Sequence, residues 1–240
     1  MFSFFIHTHS DCKDLWPCFF GQLKEHFEQF NKYVCVDKND ELLSGCKTFL
    51  YEEQTLYSKR LLDSLKHLKE EIILFTHEDM ILYGEPDYKT LNEYVNLIKN
   101  GKANFIKLLK CKDSNESFIQ SEEHSNLVVC PTQYSFTVQP TLCKASDLVE
   151  LVETLPSHVN IWDLERAIPQ IFELPAFKNK KCFMSSFSNE RQRGSAHWDS
   201  SAYPHGNMIF KGKWTYSEYK KEIDILCEKY SIQKETRGVI

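Results

Sequence analysis

The sequence predicts an α/β protein with a mostly parallel central sheet flanked by helices. Three observations predict it. Apolar runs alternate with amphipathic helical patterns through the first 110 residues, the order that builds parallel sheets through crossover helices. Two of those runs end abruptly in polar clusters, as strands do where a ligand crevice opens at their carboxyl ends. The composition is ordinary for a globular chain, 42% hydrophobic and 26% charged over 240 residues. A chain of that size can bury a core without metal or disulfide staples.

The first run, Phe2 to Ile6, reads as a buried strand and delivers His7, His9, Ser10 and Asp11 in quick succession. Asp14 can cap a helix whose apolar positions are Leu15, Phe19, Leu23 and Phe27. Tyr33 to Val36 is a second strand, and residues 37–54 are polar and loop-like. Tyr57, Leu61, Leu65 and Leu68 then form one face of a helix. Ile72 to Phe75 is a third strand, ending in Thr76, His77, Glu78 and Asp79. Asp87 starts a helix carrying Leu91, Tyr94, Val95 and Ile98, and residues 104–109 form a fourth strand. The C-terminal half is more irregular. Its expected strands lie near 117–119, 126–129, 134–138, 182–184 and 207–210. Its expected helices lie near 145–154, 162–172 and 216–230. With no internal repeat, low-complexity segment or Pro/Gly linker, a single domain over 1–240 is the expectation.

Net charge is −5, so nothing in the global balance calls for nucleic acid. The charge is uneven, however. Between Lys178 and Lys221 nine Lys or Arg face three acids, Glu190, Asp199 and Glu218. A small anionic ligand or a solvated basic face both fit that bias. The nine cysteines are odd in number, irregularly spaced and without a C-x-x-C. They read as small buried hydrophobes in a reducing compartment rather than a zinc site. The apolar N-terminal run is too short for a signal peptide, and no stretch is long enough for a membrane span. A soluble, cytoplasmic protein is expected.

Two adjacent carboxylates after a buried strand are costly unless something positive meets them. Glu78 and Asp79 suit a hard divalent cation, Mg²⁺ or Mn²⁺, particularly one shared with a diphosphate; a solvated, capped strand end is the alternative. His9, Ser10 and Asp11, at the end of the first strand, should lie near the same place. They could read a base or ribose, or simply form an N-capping turn. Trp162, Asp163 and Glu165 begin a helix, where acids also serve the helix dipole. Arg60, Arg191, Arg193, Lys211 and Lys213 could supply positive charge, and Gln139 could bond a sugar hydroxyl. Tyr57 faces the core by its spacing, and Trp214 reads as an anchor for the last helix.

These residues also fall in a recognisable order. The stretch YSKRL from Tyr57, then LFTHEDMILY ending at Tyr83, resembles a family of GT-A-type glycosyltransferases of viral and bacterial polysaccharide systems. That family shows Y-S-x-R-L followed by L-x-x-H-E-D-M-x-L-Y. The segment from Ser135 to Leu142 is similar to its S-x-x-x-Q-P-x-L/W. The segment from Ile161 to Glu165 is similar to its W-x-x-E. Tyr203-Pro-His-Gly, Lys211-Gly-Lys-Trp and Ser217-Glu-Tyr are similar to its ending. The resemblance implies a GT-A-like fold and transfer of a sugar from a nucleotide-sugar donor, by prior a UDP-sugar, to a glycan or other hydroxyl acceptor. It implies a divalent metal on Asp79 and Glu78. His77 stands where a D-x-D motif has its first aspartate, and is assigned instead to ribose or donor sugar. A C-terminal histidine, His197 in preference to His205, would join the metal from a mobile loop over residues 193–198. Glu165 is implied as the general base of an inverting reaction, with Asp163 in reserve.

Three other readings are open. A metal-dependent hydrolase could use His7 and His9, since alternate strand residues share a face; it would need further ligands at later strand ends, of which His77 is a candidate. A nucleotidyltransferase would use the same sheet, metal and nucleotide, but would show a Gly-rich loop after the first strand, and the first glycine here is Gly21. A non-catalytic domain on a transferase fold would not need both the acidic strand end and the basic C-terminal loop.

Overall fold

The computed structural model describes residues 1–69, 71–111, 118–156, 159–194 and 197–240. The strands in chain order begin with β1 (Ser3–His7), β2 (Lys32–Val36), β3 (Lys47–Leu50), β4 (Ile72–His77) and β5 (Met80–Leu82). They continue with β6 (Phe105–Lys107), β7 (Leu127–Val129), β8 (Thr141–Lys144) and β9 (Cys182–Ser185). All but β5 join one eight-stranded sheet in the order β3-β2-β1-β4-β8-β6-β9-β7. β3, β2, β1 and β4 pair in parallel. β8 is antiparallel to β4 and β6, β9 is parallel to β6, and β7 closes the edge antiparallel. Thus β1, β2, β3, β4, β6 and β9 share one direction, and the expected fold class, α/β with a mostly parallel sheet, is the one adopted.

The strands are apolar throughout because both faces of the sheet are covered. Side chains alternate between faces. Phe5, Ile73 and Phe75 pack with Leu61 and Leu65 of α2 (Tyr57–Leu65), Leu148 of α4 (Ala145–Thr154) and Leu164 of α5 (Ile161–Phe172). Phe4, Ile6 and Leu74 point the other way. They meet Phe19 and Leu23 of α1 (Trp16–Phe27) and Leu91 and Val95 of α3 (Tyr88–Lys99). Caps fix where two helices begin. The Asp87 carboxylate accepts from Thr90 N, and the Asn160 amide oxygen accepts from Trp162 N and Asp163 N. Each cap is worth about 1 kcal/mol.

The C-terminal segment adds small antiparallel pairs: β10 (Gln192–Arg193) with β11 (His197–Trp198), β12 (His205–Asn207) with β5, and β13 (Ile209–Phe210) with β14 (Lys213–Trp214). Trp214, Met208 and Ile223 of α6 (Tyr216–Lys229) form a third cluster with Leu15, Cys18 and Ile81. Arg237 closes the chain back onto its start with two 2.5 Å bonds to the Asp14 carboxylate.

Four expectations change. Residues 37–54 are not all loop, for Lys47–Leu50 is the edge strand β3. Its half-exposed residues carry no apolar run, which hid it. No strand covers 134–138; that region holds a 3-10 turn, Thr132–Tyr134, and the strand follows Pro140 as β8. The strand expected near 207–210 is two strands interrupted at Met208. Residue 117 lies outside the described residues, and Phe118 and Ile119 are not in a strand.

Candidate active site at the ends of β1 and β4

The strand order runs outward from β1 through β2 to β3, then restarts at β4 on the other side of β1. The connections leaving β1 and β4 therefore diverge, and a crevice opens between their carboxyl ends. His7 and His77 are paired in register at that point. A cleft of about 390 Å³ opens there, lined by His7, Thr8, His9, Tyr51, Glu53, Tyr57, Arg60, His77, Glu78 and Asn160 among others.

Aromatic and imidazole rings form one wall. His7 stacks on Tyr51 with centroids 5.4 Å apart, and Tyr57 Oη shares a 2.8 Å hydrogen bond with His77 Nε2. Burial drives the His77 pKa down to about 3 and holds His7 well below the ordinary imidazole range, so both rings are neutral at pH 7. His7 Nε2 is enclosed and, among the described residues, has no hydrogen-bond partner. Arg60 lies 4.1 Å over the Tyr51 ring and donates to the carbonyls of Glu53 and Thr55. It thus anchors the loop that follows β3 while bringing its charge to the cleft.

Glu78 and Asp79 follow β4 in the turn to β5. Glu78 is bonded by the side chains of Cys12 and Thr8. Burial, then the charge of Glu78, pushes the Asp79 carboxyl up to about 7. Among the described residues Asp79 Oδ1 is enclosed and accepts no hydrogen bond, while the backbone N–H groups of Asp79 and Met80 bond the carboxyl group. A buried, unpartnered carboxylate oxygen beside a second carboxylate is what a hard cation would relieve, so these residues fit Mg²⁺ or Mn²⁺. Glu165 is close enough for its charge to raise both Asp79 and Tyr57. Val138 N donates to its Oε1 at 3.0 Å, and among the described residues its other oxygen has no partner. Asp79 and Glu165 do not line the cleft themselves, but adjoin Tyr57 and Glu78, which do.

His9 caps the 3-10 turn after β1, its Nδ1 accepting from Asp11 N at 3.1 Å. Ser10 is turned to Asp37, with bonds of 2.7 and 2.5 Å. Among the described residues, the one set of three metal-ligand atoms within 4.8 Å is His9, Asp37 and Glu53. Lys38 Nζ already lies 3.9 and 3.8 Å from those two carboxylates. Since His9 Nδ1 accepts, its proton sits on Nε2, where a cation would need a lone pair. In that set Lys38 offsets one of the two carboxylate charges, and Asp37 is already bonded by Ser10.

Several expected site residues lie elsewhere. His197 does not gather with Asp79 and Glu78; its Nε2 meets Gln139 Nε2 at 2.9 Å. The loop expected to carry it is bounded by a pair, Arg193 opposite His197; residues 195 and 196 lie outside the described residues. Arg193 is buried and consumed by Asp199, Glu222 and the Glu218 carbonyl. The Asp163 carboxylate, in the first turn of α5, accepts from Asn160 Nδ2 and Arg166 Nη1. The Asp11 side chain is exposed to solvent. Arg191 is exposed beside Asp199, and Lys211 and Lys213 flank the β13–β14 turn; none of the three lines the cleft. Trp214 and Met208 pack that hairpin against α1 and α6, and Met208 N donates to the Asp79 carbonyl at 3.1 Å. His205 is fully buried, its Nδ1 against the Tyr203 carbonyl.

Sequence reasoning missed Asp37, Tyr51, Glu53 and Asn160. All but Asn160 follow β2 or β3, and finding β3 would have exposed Tyr51 and Glu53 as a strand-end cluster.

No protein-family model and no curated protein sequence matches the chain. Solved structures of similar shape include S. aureus TarS 1–349, at 13% identity and a TM-score of 0.49, matching 81% of this chain and 59% of that one. A cytidylyltransferase from Leptospira borgpetersenii shares 17% identity at 0.49, over 97% and 96%. UDP-glucose pyrophosphorylase complexed with UDP-glucose shares 9% at 0.46, over 78% and 91%. The chain thus spans 59% of the length of TarS 1–349. Identities and scores this low assign neither a family nor an activity.

Proposed function

We propose that this protein is a metal-dependent glycosyltransferase that uses a nucleotide-sugar donor, by prior a UDP-sugar, and a glycan or other hydroxyl acceptor. The observation that carries the proposal is the unpartnered Asp79 oxygen beside Glu78 at the switch point, with Glu165 adjoining it. The order of motifs from Tyr57 to Tyr219 supports it.

In this reading the nucleoside occupies the cleft between the Tyr51–Arg60 wall and His7. Bound Mn²⁺ or Mg²⁺, held by Asp79 with Glu78, would neutralise charge on the departing diphosphate. Glu165, oriented by Val138 N, takes the proton from the acceptor hydroxyl through its second oxygen. An inverting outcome follows if that base acts directly. Trp162, 63% exposed and one turn before Glu165, offers the face of a ring to the acceptor.

Nucleotidyl transfer is the second reading. It is disfavoured by the turn after β1, which folds as a 3-10 helix over Ser10–Leu15 without glycine. The hydrolase reading needs further ligands beside His7 and His9, and among the described residues no set of three includes both.

The test is turnover of a UDP-sugar with and without acceptor in wild type and Glu165→Gln. A loss of acceptor transfer on the order of 10²-fold or more, with nucleotide affinity retained, is expected of a general base. Transfer near the wild-type rate in Glu165→Gln would remove that assignment.

A further inference from the structure

Lys107 is the last residue of β6, in an apolar run, and is 2% exposed. No carboxylate approaches it among the described residues. Its Nζ donates to Cys111 Sγ at 3.1 Å and lies 5.3 Å from the centroid of the Tyr134 ring. On its other side Cys111 Sγ lies 3.8 Å from Met184 Sδ. A thiol and a ring face compensate only part of the desolvation of an ammonium. A buried cation left in this state is stable when an anion completes it.

Its position says where such an anion would come from. Phe75 of β4 and Lys107 of β6 both stand opposite Thr141 of β8, so Lys107 is two strands from β4 at the same level. β6 and β4 run in the same direction, which puts Lys107 at the carboxyl edge where Glu78 and Asp79 lie. Alternation puts Lys107 on the face of Phe105, which is the face of Phe75, Tyr57 and α5. The half-exposed Tyr134 covers the ammonium. Beside it, Gln139 donates to His197, and the charge of Lys107 contributes to holding that imidazole neutral. The segment from Tyr134 to Gln139 therefore spans from Lys107 to the Val138 N–H that orients Glu165.

We propose that Lys107 forms an anion subsite that receives a phosphate or carboxylate group of a bound substrate. The ammonium has two N–H groups left after its bond to Cys111, enough for two oxygens of one anion. The anion binding stands on the buried cation alone; calling its ligand a substrate rests on the transferase reading.

The test titrates inorganic pyrophosphate, UDP, uridine and glucuronate into wild type, Lys107→Arg and Lys107→Met, with melting temperature as a second readout. Lys107→Met keeps the stem and removes the charge. The expected result is binding of pyrophosphate or glucuronate to wild type and Lys107→Arg, weakened on the order of tenfold or more in Lys107→Met. In anion-free buffer Lys107→Met should melt no lower than wild type, because no ion pair is broken. A matching loss for UDP, and none for uridine, identifies the donor diphosphate; a loss confined to glucuronate identifies an acidic sugar. Unchanged anion binding by Lys107→Met overturns the proposal, as does a lower melting temperature or failure of that variant to fold, which would make the ammonium a structural anchor. UDP binding that persists in Lys107→Met overturns the donor assignment and leaves the transferase reading intact. Pyrophosphate binding lost in Lys107→Met, with no nucleotide bound by wild type, overturns the transferase reading and leaves the subsite.

Discussion

Asp79 makes a prediction that does not need the substrate. Its carboxyl is pushed up to about 7, first by burial and then by Glu78. Between the ordinary aspartate pKa near 3.9 and that value, the folded state holds a proton that the unfolded chain has released. Asp79 therefore destabilises the metal-free protein as pH rises through that window. The buried histidines act in the opposite direction, because His77 at about 3 and His205 at about 4 bind fewer protons folded than unfolded. The difference between Asp79→Asn and wild type, rather than either curve, isolates the carboxylate. Urea melts in chelator should show the variant's advantage growing from pH 4 to pH 7 and flat above it. A constant difference would show that Asp79 is not strained. Arg193 makes the opposite kind of prediction. It is buried between Asp199 and Glu222, so Arg193→Ala should cost about 3–5 kcal/mol of stability, the scale for one partner removed from a buried ion network. Nucleotide affinity, measured below the melting temperature, should stay within the wild-type range.

At the scale of elements, α5 carries an irregularity with a purpose to test. Pro169 sits inside the helix. It has no N–H for the carbonyl four residues back, and its ring crowds that carbonyl. The residue four back is Glu165. Pro169→Ala would restore the helical bond and shift the carboxylate against Val138 N. It should raise stability, or leave it unchanged, while lowering acceptor transfer; equal activity would show that the proline does not set Glu165. The β5–β12 pair rests on a close approach. A Cβ at Gly206 would stand 2.5 Å from Tyr219 Cε1, so Gly206→Ala should cost about 1–3 kcal/mol by overpacking, read from a denaturant melt. A wild-type melt would show that Tyr219 moves freely. The elements also show what was legible. Long periodic segments, α1 to α6 and β1, β2 and β4, were readable because burial on a fixed face imprints the pattern. β3, an edge strand with two exposed and two half-exposed residues, left no such imprint. β8 was hidden because Pro140 marks a loop while the four residues after it complete the sheet. Strand-end position brought His9, His77, Glu78 and Asp79 together in the sequence, whereas Tyr57 and Arg60, on α2, entered through the order of motifs. Lys107 was not sought because a single lysine in an apolar run reads as a snorkelling side chain. The partners of Arg193 and Asp163, Glu222 and Asn160, were not legible because they depend on tertiary packing and capping that residue type does not reveal.

At the scale of the whole molecule, the central claim is that the junction of β1 and β4 binds a nucleotide through a divalent metal. Any such ligand should stabilise the folded chain, by about 2.7 kcal/mol at a hundred times its dissociation constant. The most direct measurement is calorimetric titration of UDP and GDP into the protein with Mn²⁺ and again with chelator. The account predicts binding of one nucleotide with Mn²⁺, its loss in chelator, and its loss in Asp79→Asn with Mn²⁺ present. Absence of binding by either nucleotide in the presence of Mn²⁺, or binding that is indifferent to metal and to Asp79, would contradict it.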